Sequence, residues 1–241
     1  MSKGTALVTG ASAGIGAATV SALIADGWAV HMTARRAERL EALAAETGAQ
    51  AHAIDATDEA AMRALVEGTA FDLIVANAGK GGAMTGLTGS DAAEIADVVT
   101  TNVTAVLQLV QAALPGMAAR GRGHIVTIGS VAGLYPAGAA LYGATKHAVR
   151  GMVRNLRIET LGQGVRFTDI QPGRVRTEFY DVAIKDDAVR APIKETGIEE
   201  LTPEDVAEAI RWVAAQPAHV NVSALEIAPT EQTYGGVRFP A

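Results

Sequence analysis

Tyr142 and Lys146 stand four residues apart in the segment Tyr142-Gly143-Ala144-Thr145-Lys146. On a helix that spacing puts the phenol and the ammonium on one face, where both can serve one site. A phenol with its reference pKa of about 10 is a poor proton acceptor near neutrality, and a cation beside it stabilises the phenolate. Lowering the phenol by roughly 3 units takes about 4 kcal/mol of differential interaction. The pair therefore points to proton transfer at an oxygen. A YxxxK spacing arises by chance in many chains, so its weight comes from its neighbours. Ser130 follows Ile128-Gly129, upstream of Tyr142. A hydroxyl at the end of a central strand is placed to hydrogen-bond a carbonyl and stabilise charge developing on its oxygen. Asn102, in Thr101-Asn102-Val103, reads as the start of a helix, where asparagine is a favoured cap.

A second group of residues suits a dinucleotide. The run Thr9-Gly10-Ala11-Ser12-Ala13-Gly14-Ile15-Gly16 follows an apolar strand and opens a helix. Gly10 allows a tight exit from the strand, Gly14 lets backbone approach a pyrophosphate, and Gly16 lets the helix pack closely on the sheet. The helix N-terminus offers unpaired N–H groups and the positive end of its dipole to phosphates. An acid at the end of the second strand would bind a ribose 2′-hydroxyl and repel a 2′-phosphate. The chain instead reads Thr33-Ala34-Arg35-Arg36 there. A guanidinium holds a phosphate in a forked, charge-assisted pair. Arg35 is the first choice for that role, with Arg36 stacking on the adenine or supporting it and Ser12 adding a hydroxyl. The expected cofactor is NADP(H) rather than NAD(H).

These residues need a scaffold, and the chain supplies a recurrent one. Short apolar runs rich in Val, Ile and Leu predict strands at Thr5–Thr9, Trp28–Thr33, Gln50–Ile54, Leu73–Ala76, His124–Ile128, Val165–Ile170 and Ala224–Ala228. Amphipathic stretches between them predict helices at Gly14–Ala25, Ala37–Glu46, Asp58–Glu67, Ser90–Thr100, Val103–Arg120, Tyr142–Leu161 and Pro203–Ala215. Thr202-Pro203-Glu204-Asp205 is a plain helix start. The alternation predicts an α/β fold: one Rossmann-like, doubly wound domain over residues 1–241 with a seven-stranded parallel sheet. Residues 174–201 lack periodicity and read as an irregular lid. The tail, residues 230–241, carries Tyr234 and Phe239 and is expected to dock on its own or a neighbouring subunit.

Composition narrows the function class. A formal net charge of −6 disfavours nucleic acid and anionic membranes as partners, and the chain has no cysteine for disulfide or thiolate chemistry. No apolar run is read as membrane-spanning, no leader segment is read at the N-terminus, and no metal site is assigned. The expected location is the cytoplasm.

Thr9 to Gly16 resembles the TGxxxGIG element of the short-chain dehydrogenase/reductase family. Other segments resemble it as well. Asp55 matches an acid that contacts the adenine in that family. Asn77-Ala78-Gly79 resembles its NNAG element, with Ala76 in place of the first Asn, which loosens a sheet-stabilising hydrogen bond. Pro172-Gly173-Arg174-Val175-Arg176-Thr177 resembles its PGxVxT segment, whose backbone and Thr hydroxyl contact the nicotinamide carboxamide and phosphates. The resemblance runs from residue 5 to about residue 228. It implies a catalytic tetrad of Asn102, Ser130, Tyr142 and Lys146, with Asn102 holding a proton-relay water. It also implies cofactor contacts at Gly10, Ser12, Gly14, Ile15, Gly16, Arg35, Arg36, Asp55, Asn77, Ala78, Gly79, Tyr142, Lys146, Pro172, Gly173, Val175 and Thr177. Hydride transfer would accompany proton donation by Tyr142, and assembly would be a homotetramer or dimer through the helices at 103–120 and 142–161.

Segments 123–130, 167–173 and 201–229 resemble the branch holding NADP-dependent serine/3-hydroxy-acid dehydrogenases and reductases of malonic semialdehyde and sulfoacetaldehyde. A small carbonyl or alcohol substrate is thus the first expectation. Reduction of bulkier ketones or 3-oxoacyl groups on a carrier protein is the alternative, and a catalytically silent NADP sensor or scaffold is a third. Arg174, Arg176, Arg190, Lys194 and Tyr135 are the groups near the lid that an anionic substrate could meet.

Overall fold

The computed structural model describes residues 3–82, 86–136, 138–184 and 186–233. Its strands are β1 (Thr5–Thr9), β2 (Ala29–Thr33), β3 (Gln50–His52), β4 (Leu73–Ala76), β5 (Gly123–Ile128), β6 (Val165–Pro172) and β7 (Ala224–Ile227). They form one parallel sheet in the order β3-β2-β1-β4-β5-β6-β7. The order reverses between β1 and β4, and in open sheets of this kind the crevice beyond the strand C-termini at that point takes ligands. The expected tail docking concerns residues largely outside the described ones.

The helices are α1 (Gly14–Ala25), α2 (Ala37–Thr47), α3 (Glu59–Glu67), α4 (Ala92–Val99), α5 (Ala105–Ala119), α6 (Ala140–Glu159), α7 (Phe179–Ala183), α8 (Asp187–Lys194) and α9 (Pro203–Ala214). Successive strand residues point to opposite faces. Ala6 and Val8 therefore pack with Val20 and Leu23 of α1, Leu40 of α2, and Val206 and Ile210 of α9. Leu7 faces the other way, with Met62 of α3, Leu109 and Met117 of α5, and Val153 of α6. Both faces of the sheet are covered at its centre, which is why β1 and β4 are dense in buried apolar residues. Helix starts follow local chemistry. Asp58 caps α3, Asp91 caps α4, and Thr202 and Asp205 form a reciprocal capping box at α9.

Four expectations are corrected. β3 ends at His52 rather than Ile54, because the chain turns as Ile54 N–H bonds the His52 carbonyl at 2.8 Å. The helices expected at 90–100 and 103–120 are continuous, joined by a π-helical turn at Thr100–Thr104. Residues 174–201 are not irregular throughout, since they contain α7 and α8. Last, the helix Ala92–Ala119 is long and apolar enough to cross a membrane by length and composition. Its residues Val106, Leu109, Val110, Ala113 and Met117 are buried against the sheet, so it serves as a core helix.

His124 on β5 is buried, with Nε2 2.8 Å from Thr168 Oγ1. Burial, reinforced by the Arg166 guanidinium, holds its pKa down to about 3 from 6.5. Between those values the unfolded chain binds a proton that the folded chain does not. This group's contribution to stability is therefore lost as pH falls through that window, by about 1.4 kcal/mol per pH unit. Urea denaturation between about pH 6.5 and about pH 4 is expected to show a shallower acid loss for His124→Gln than for wild type. Equal slopes would place the acid sensitivity elsewhere.

Candidate active site

The four residues of the expected tetrad converge at the C-terminal edge of the sheet. β5 ends at Ile128, and Ser130 caps a short 3-10 turn at Val131–Gly133, its Oγ accepting from Ala132 N–H at 3.1 Å. That turn lies against α6: a Cβ at Gly133 would come within 3.0 Å of the Lys146 backbone. The close approach sets Ser130 beside Tyr142, on the first turn of α6, near enough to act on its pKa. One turn on, Lys146 is 8% exposed, its Nζ donating to the Ile128 carbonyl at 2.6 Å and lying 5.5 Å from the Tyr142 ring centroid.

Asn102 does not begin a helix. It sits within the π-helical turn, a local widening that often marks functional positions. The turn aims its amide inward, where Nδ2 donates to the Lys80 carbonyl (2.8 Å) and Thr145 Oγ1 (3.1 Å), and Oδ1 accepts from Lys80 N–H (2.9 Å). A Cβ at Gly79 would lie 3.4 Å from Asn102 Oδ1 and 3.8 Å from Lys146 Nζ, so the two side chains border one small space.

The electrostatics differ from the sequence expectation of a lowered phenol. Burial pushes the Tyr142 pKa up, the Ser130 hydrogen bond opposing it and Tyr180 adding to it. Burial lowers Lys146 to about 8, against the pull of Asp169. Desolvation outweighs the cation because the ammonium is directed at the Ile128 carbonyl rather than at the phenol. Tyr142 is thus a neutral proton donor near pH 7.

Asp169 was not singled out in the sequence, although it is the one acid in the apolar strand Val165–Pro172. It is buried, accepts from Thr127 Oγ1 and Gln171 Nε2 at 2.8 Å each, and backs Gly129, where a Cβ would meet its Oδ1 at 2.6 Å.

The glycine turn is stitched to the end of β4. Thr9 Oγ1 accepts from the N–H groups of Asn77 (3.1 Å) and Ala78 (3.0 Å), while Asn77 Nδ2 donates to the carbonyls of Thr9 (2.9 Å) and Gly10 (3.2 Å). Gly16 has no room for a side chain: a Cβ would lie 2.4 Å from the Gly10 carbonyl oxygen and 2.6 Å from Asn77 Nδ2. Gly14 has φ +54° and faces Thr177. Ala13 precedes α1 without any side-chain cap, so the leading N–H groups stay available to an anion. The side chain of Ile15 packs on the core, leaving only its backbone for the turn.

Across from this turn, Gly173 N–H bonds the Ile227 carbonyl at 2.7 Å, Val175 bridges Leu201, and Thr177 Oγ1 accepts from Phe179 N–H at 3.3 Å. Pro172 ends β6 opposite Ile227. A cleft of about 360 Å³ lies between the two segments, lined by Gly14, Val175, Arg176, Thr177, Tyr180 and Lys194 among others. A glycine cradle, an uncapped helix start and a cleft bordered by Arg176 and Lys194 fit a dinucleotide.

The two arginines take different partners. Arg36, not Arg35, reaches the glycine turn, its Nε donating to Ser12 Oγ at 3.0 Å. Arg35 Nε lies 3.8 Å from Asp55 Oδ2, and Asp55 Oδ1 accepts from Thr57 N–H and Oγ1 at 2.9 Å each.

The lid charges are largely spoken for. Arg174 is buried, pairs with Glu200 at 2.7 Å, donates to the Ile193 carbonyl and lies 4.3 Å over the Tyr180 ring. Arg190 pairs with Asp181 and Asp187, and Lys194 with Asp181 at 2.8 Å. Tyr135 donates to Glu226 at 3.1 Å. Arg176 is exposed on the cleft and forms no ion pair among the described residues. Phe179 lies edge-on to both Tyr142 (5.5 Å between centroids) and Tyr180 (5.3 Å), roofing the phenol.

A seven-stranded doubly wound sheet with Ser, Tyr and Lys gathered at its C-terminal edge defines a class of nucleotide-linked oxidoreductase. Residues 4–188 match the short chain dehydrogenase family, and the chain belongs to that family. It is 40% identical to the NADP-dependent 3-hydroxy acid dehydrogenase YdfG of Escherichia coli K12, over 96% of this chain and 97% of that protein. It is 38% identical to a serine 3-dehydrogenase of Rhizobium radiobacter, over 97% of each. Among solved structures, the closed form of serine dehydrogenase complexed with NADP+ superposes with a TM-score of 0.91 at 39% identity, over 98% of this chain and 99% of that one.

Proposed function

We propose that this single-domain chain is an NADP(H)-dependent oxidoreductase that interconverts a small 3-hydroxy acid, or a short alcohol, and the corresponding carbonyl compound. The observation that carries this reading is the gathering of Ser130, Tyr142 and Lys146 at the end of β5, with Lys146 Nζ 5.5 Å from the Tyr142 ring centroid and Phe179 edge-on to that ring. The relatives named for 3-hydroxy acids and serine support the substrate class.

Gly10, Ser12, Gly14, the backbone of Ile15, Gly16, Asn77, Ala78 and Gly79 would hold the dinucleotide from one side. Pro172, Gly173, Val175 and Thr177 would hold it from the other, with Asp55 near the adenine and Arg36, backed by Arg35, at the 2′-phosphate. When bound, the cofactor supplies or accepts the hydride. Ser130 orients the substrate carbonyl, and Tyr142 gives its proton to that oxygen in reduction and takes it back in oxidation. Lys146 keeps positive charge beside the phenol and holds the ribose. Asn102 ties the Lys80 turn to α6 at Thr145, fixing the helix that carries both groups.

The pairing of Arg174, Arg190 and Lys194 within the lid removes most of the basic surface that an acidic carrier protein would need, which weighs against the 3-oxoacyl alternative. Retention of Tyr142 and Lys146 weighs against a silent scaffold. We also propose a cytoplasmic homotetramer assembled through α5 and α6, supported by the exposed Leu107 and Ile158 on those helices; a monomer by light scattering would refute the assembly. The functional test is NADPH oxidation with short aldehydes and NADP+ reduction with serine and 3-hydroxypropionate, beside a 3-oxoacyl carrier substrate. Turnover of the small compounds is expected. Turnover of the carrier substrate alone would move the assignment to the alternative.

A further inference from the structure

Three segments far apart in the chain meet at one anion. Arg36 lies just before α2 and Arg39 within its first turn, Ser12 lies in the glycine turn, and Glu178 immediately precedes α7 at the front of the lid. Arg36 Nε donates to Ser12 Oγ at 3.0 Å, and its Nη1 donates to Glu178 Oε2 at 2.9 Å. Arg39 Nη1 donates to both carboxylate oxygens, at 2.9 and 3.0 Å. Glu178 thus engages two guanidinium groups at once, and they hold its carboxyl below the usual range. Glu178 is also the neighbour of Thr177, which faces Gly14, so the same stretch of lid that borders the glycine turn carries the carboxylate.

Resting on the NADP(H) reading above, we propose that Glu178 is the chain's own anion in the 2′-phosphate site formed by Ser12, Arg36 and Arg39, and that the cofactor's 2′-phosphate displaces it. Two arginines and a hydroxyl make a better site for a phosphate monoester than for a carboxylate. The monoester carries a charge near −2 and three acceptor oxygens, against −1 and two. The competing pairs are about half exposed, with side-chain exposures of 43%, 46% and 48% for Arg36, Glu178 and Arg39, so the carboxylate is held weakly enough to be exchanged. A cofactor without the 2′-phosphate has nothing to exchange and leaves Glu178 in place. Glu178 is on this account a specificity-determining residue: it sets how much of the phosphate's binding is spent on displacement.

The test measures dissociation constants for NADPH and NADH by nucleotide fluorescence on the full chain, for wild type and Glu178→Gln, each with and without Arg36→Gln and Arg39→Gln together. Glu178→Gln is expected to tighten NADPH binding about three- to tenfold and leave NADH within about twofold. The gain should vanish in the background lacking both arginines, where the shared partners are gone. Weaker NADPH binding by Glu178→Gln would mean that the carboxylate clasps the lid over bound cofactor, and unchanged binding would mean that it takes no part; either result overturns the proposal. A wild-type chain that does not prefer NADPH to NADH would overturn the NADP(H) reading itself, independently of what Glu178→Gln does.

Discussion

Tyr142→Phe is expected to lower kcat for carbonyl reduction by about a thousandfold while leaving NADPH affinity within about threefold. The substitution removes one hydroxyl and little else. The ring keeps its edge contact with Phe179, and Lys146 keeps its bond to the Ile128 carbonyl. What disappears is the proton donor that Ser130 orients. The burial that raises the Tyr142 pKa keeps that donor loaded at neutral pH, so the loss falls on proton transfer rather than on binding. Stopped-flow and steady-state kinetics on short aldehydes, paired with NADPH titration, check this. A variant with near-normal kcat would place the proton donor elsewhere.

Arg174→Met is expected to cost about 3 kcal/mol of folding stability in urea denaturation. Arg174 and Glu200 have side-chain exposures of only 7% and 15%, and they sit where the lid leaves and rejoins the body. Around them Arg176 N–H bonds the Leu201 carbonyl at 2.8 Å, and Leu201 N–H bonds the Arg174 carbonyl at 3.1 Å. Removing the guanidinium strands the Glu200 carboxylate and takes away the donor to Ile193 and the cation over Tyr180. Most of the cost is the uncompensated charge, so Arg174→Met with Glu200→Leu should recover more than half of it. A single-variant loss below about 0.5 kcal/mol would show that solvent screens the pair.

The scaffold was legible wherever one physical signal dominated. β1, β4 and α1 fall at the expected residues because strands covered on both faces are dense in Val, Leu and Ile, and because Gly10 and Gly14 punctuate the chain between them. Ser130, Tyr142 and Lys146 come together because each is tied to the end of a strand or the start of a helix, which patterning locates well. Asn102 was found for its identity but misplaced. A π-helical turn adds no residue type of its own, and Thr101-Asn102 reads as a break between two helices. The choice between Arg35 and Arg36 depends on side-chain direction at the end of β2, which adjacent residues of one type do not reveal. The lid was harder. Its order comes from pairs separated widely in sequence, such as Arg174 with Glu200, so no local period announces α7 and α8. Asp169 was visible as a charge inside an apolar strand; its partners Thr127 and Gln171 become apparent only when β5 lies beside β6.

Hydride transfer between NADP(H) and the carbinol carbon of a small 3-hydroxy acid can be followed by isotope transfer. The chain is incubated with NADP+ and 3-hydroxypropionate deuterated at the carbinol carbon, and the reduced cofactor is examined by mass spectrometry. One deuterium is expected on the nicotinamide ring of NADPH for each carbonyl product formed, and none with Tyr142→Phe on the same timescale. NADP+ binding without any deuterated NADPH, from this substrate, serine or a short alcohol, would contradict it.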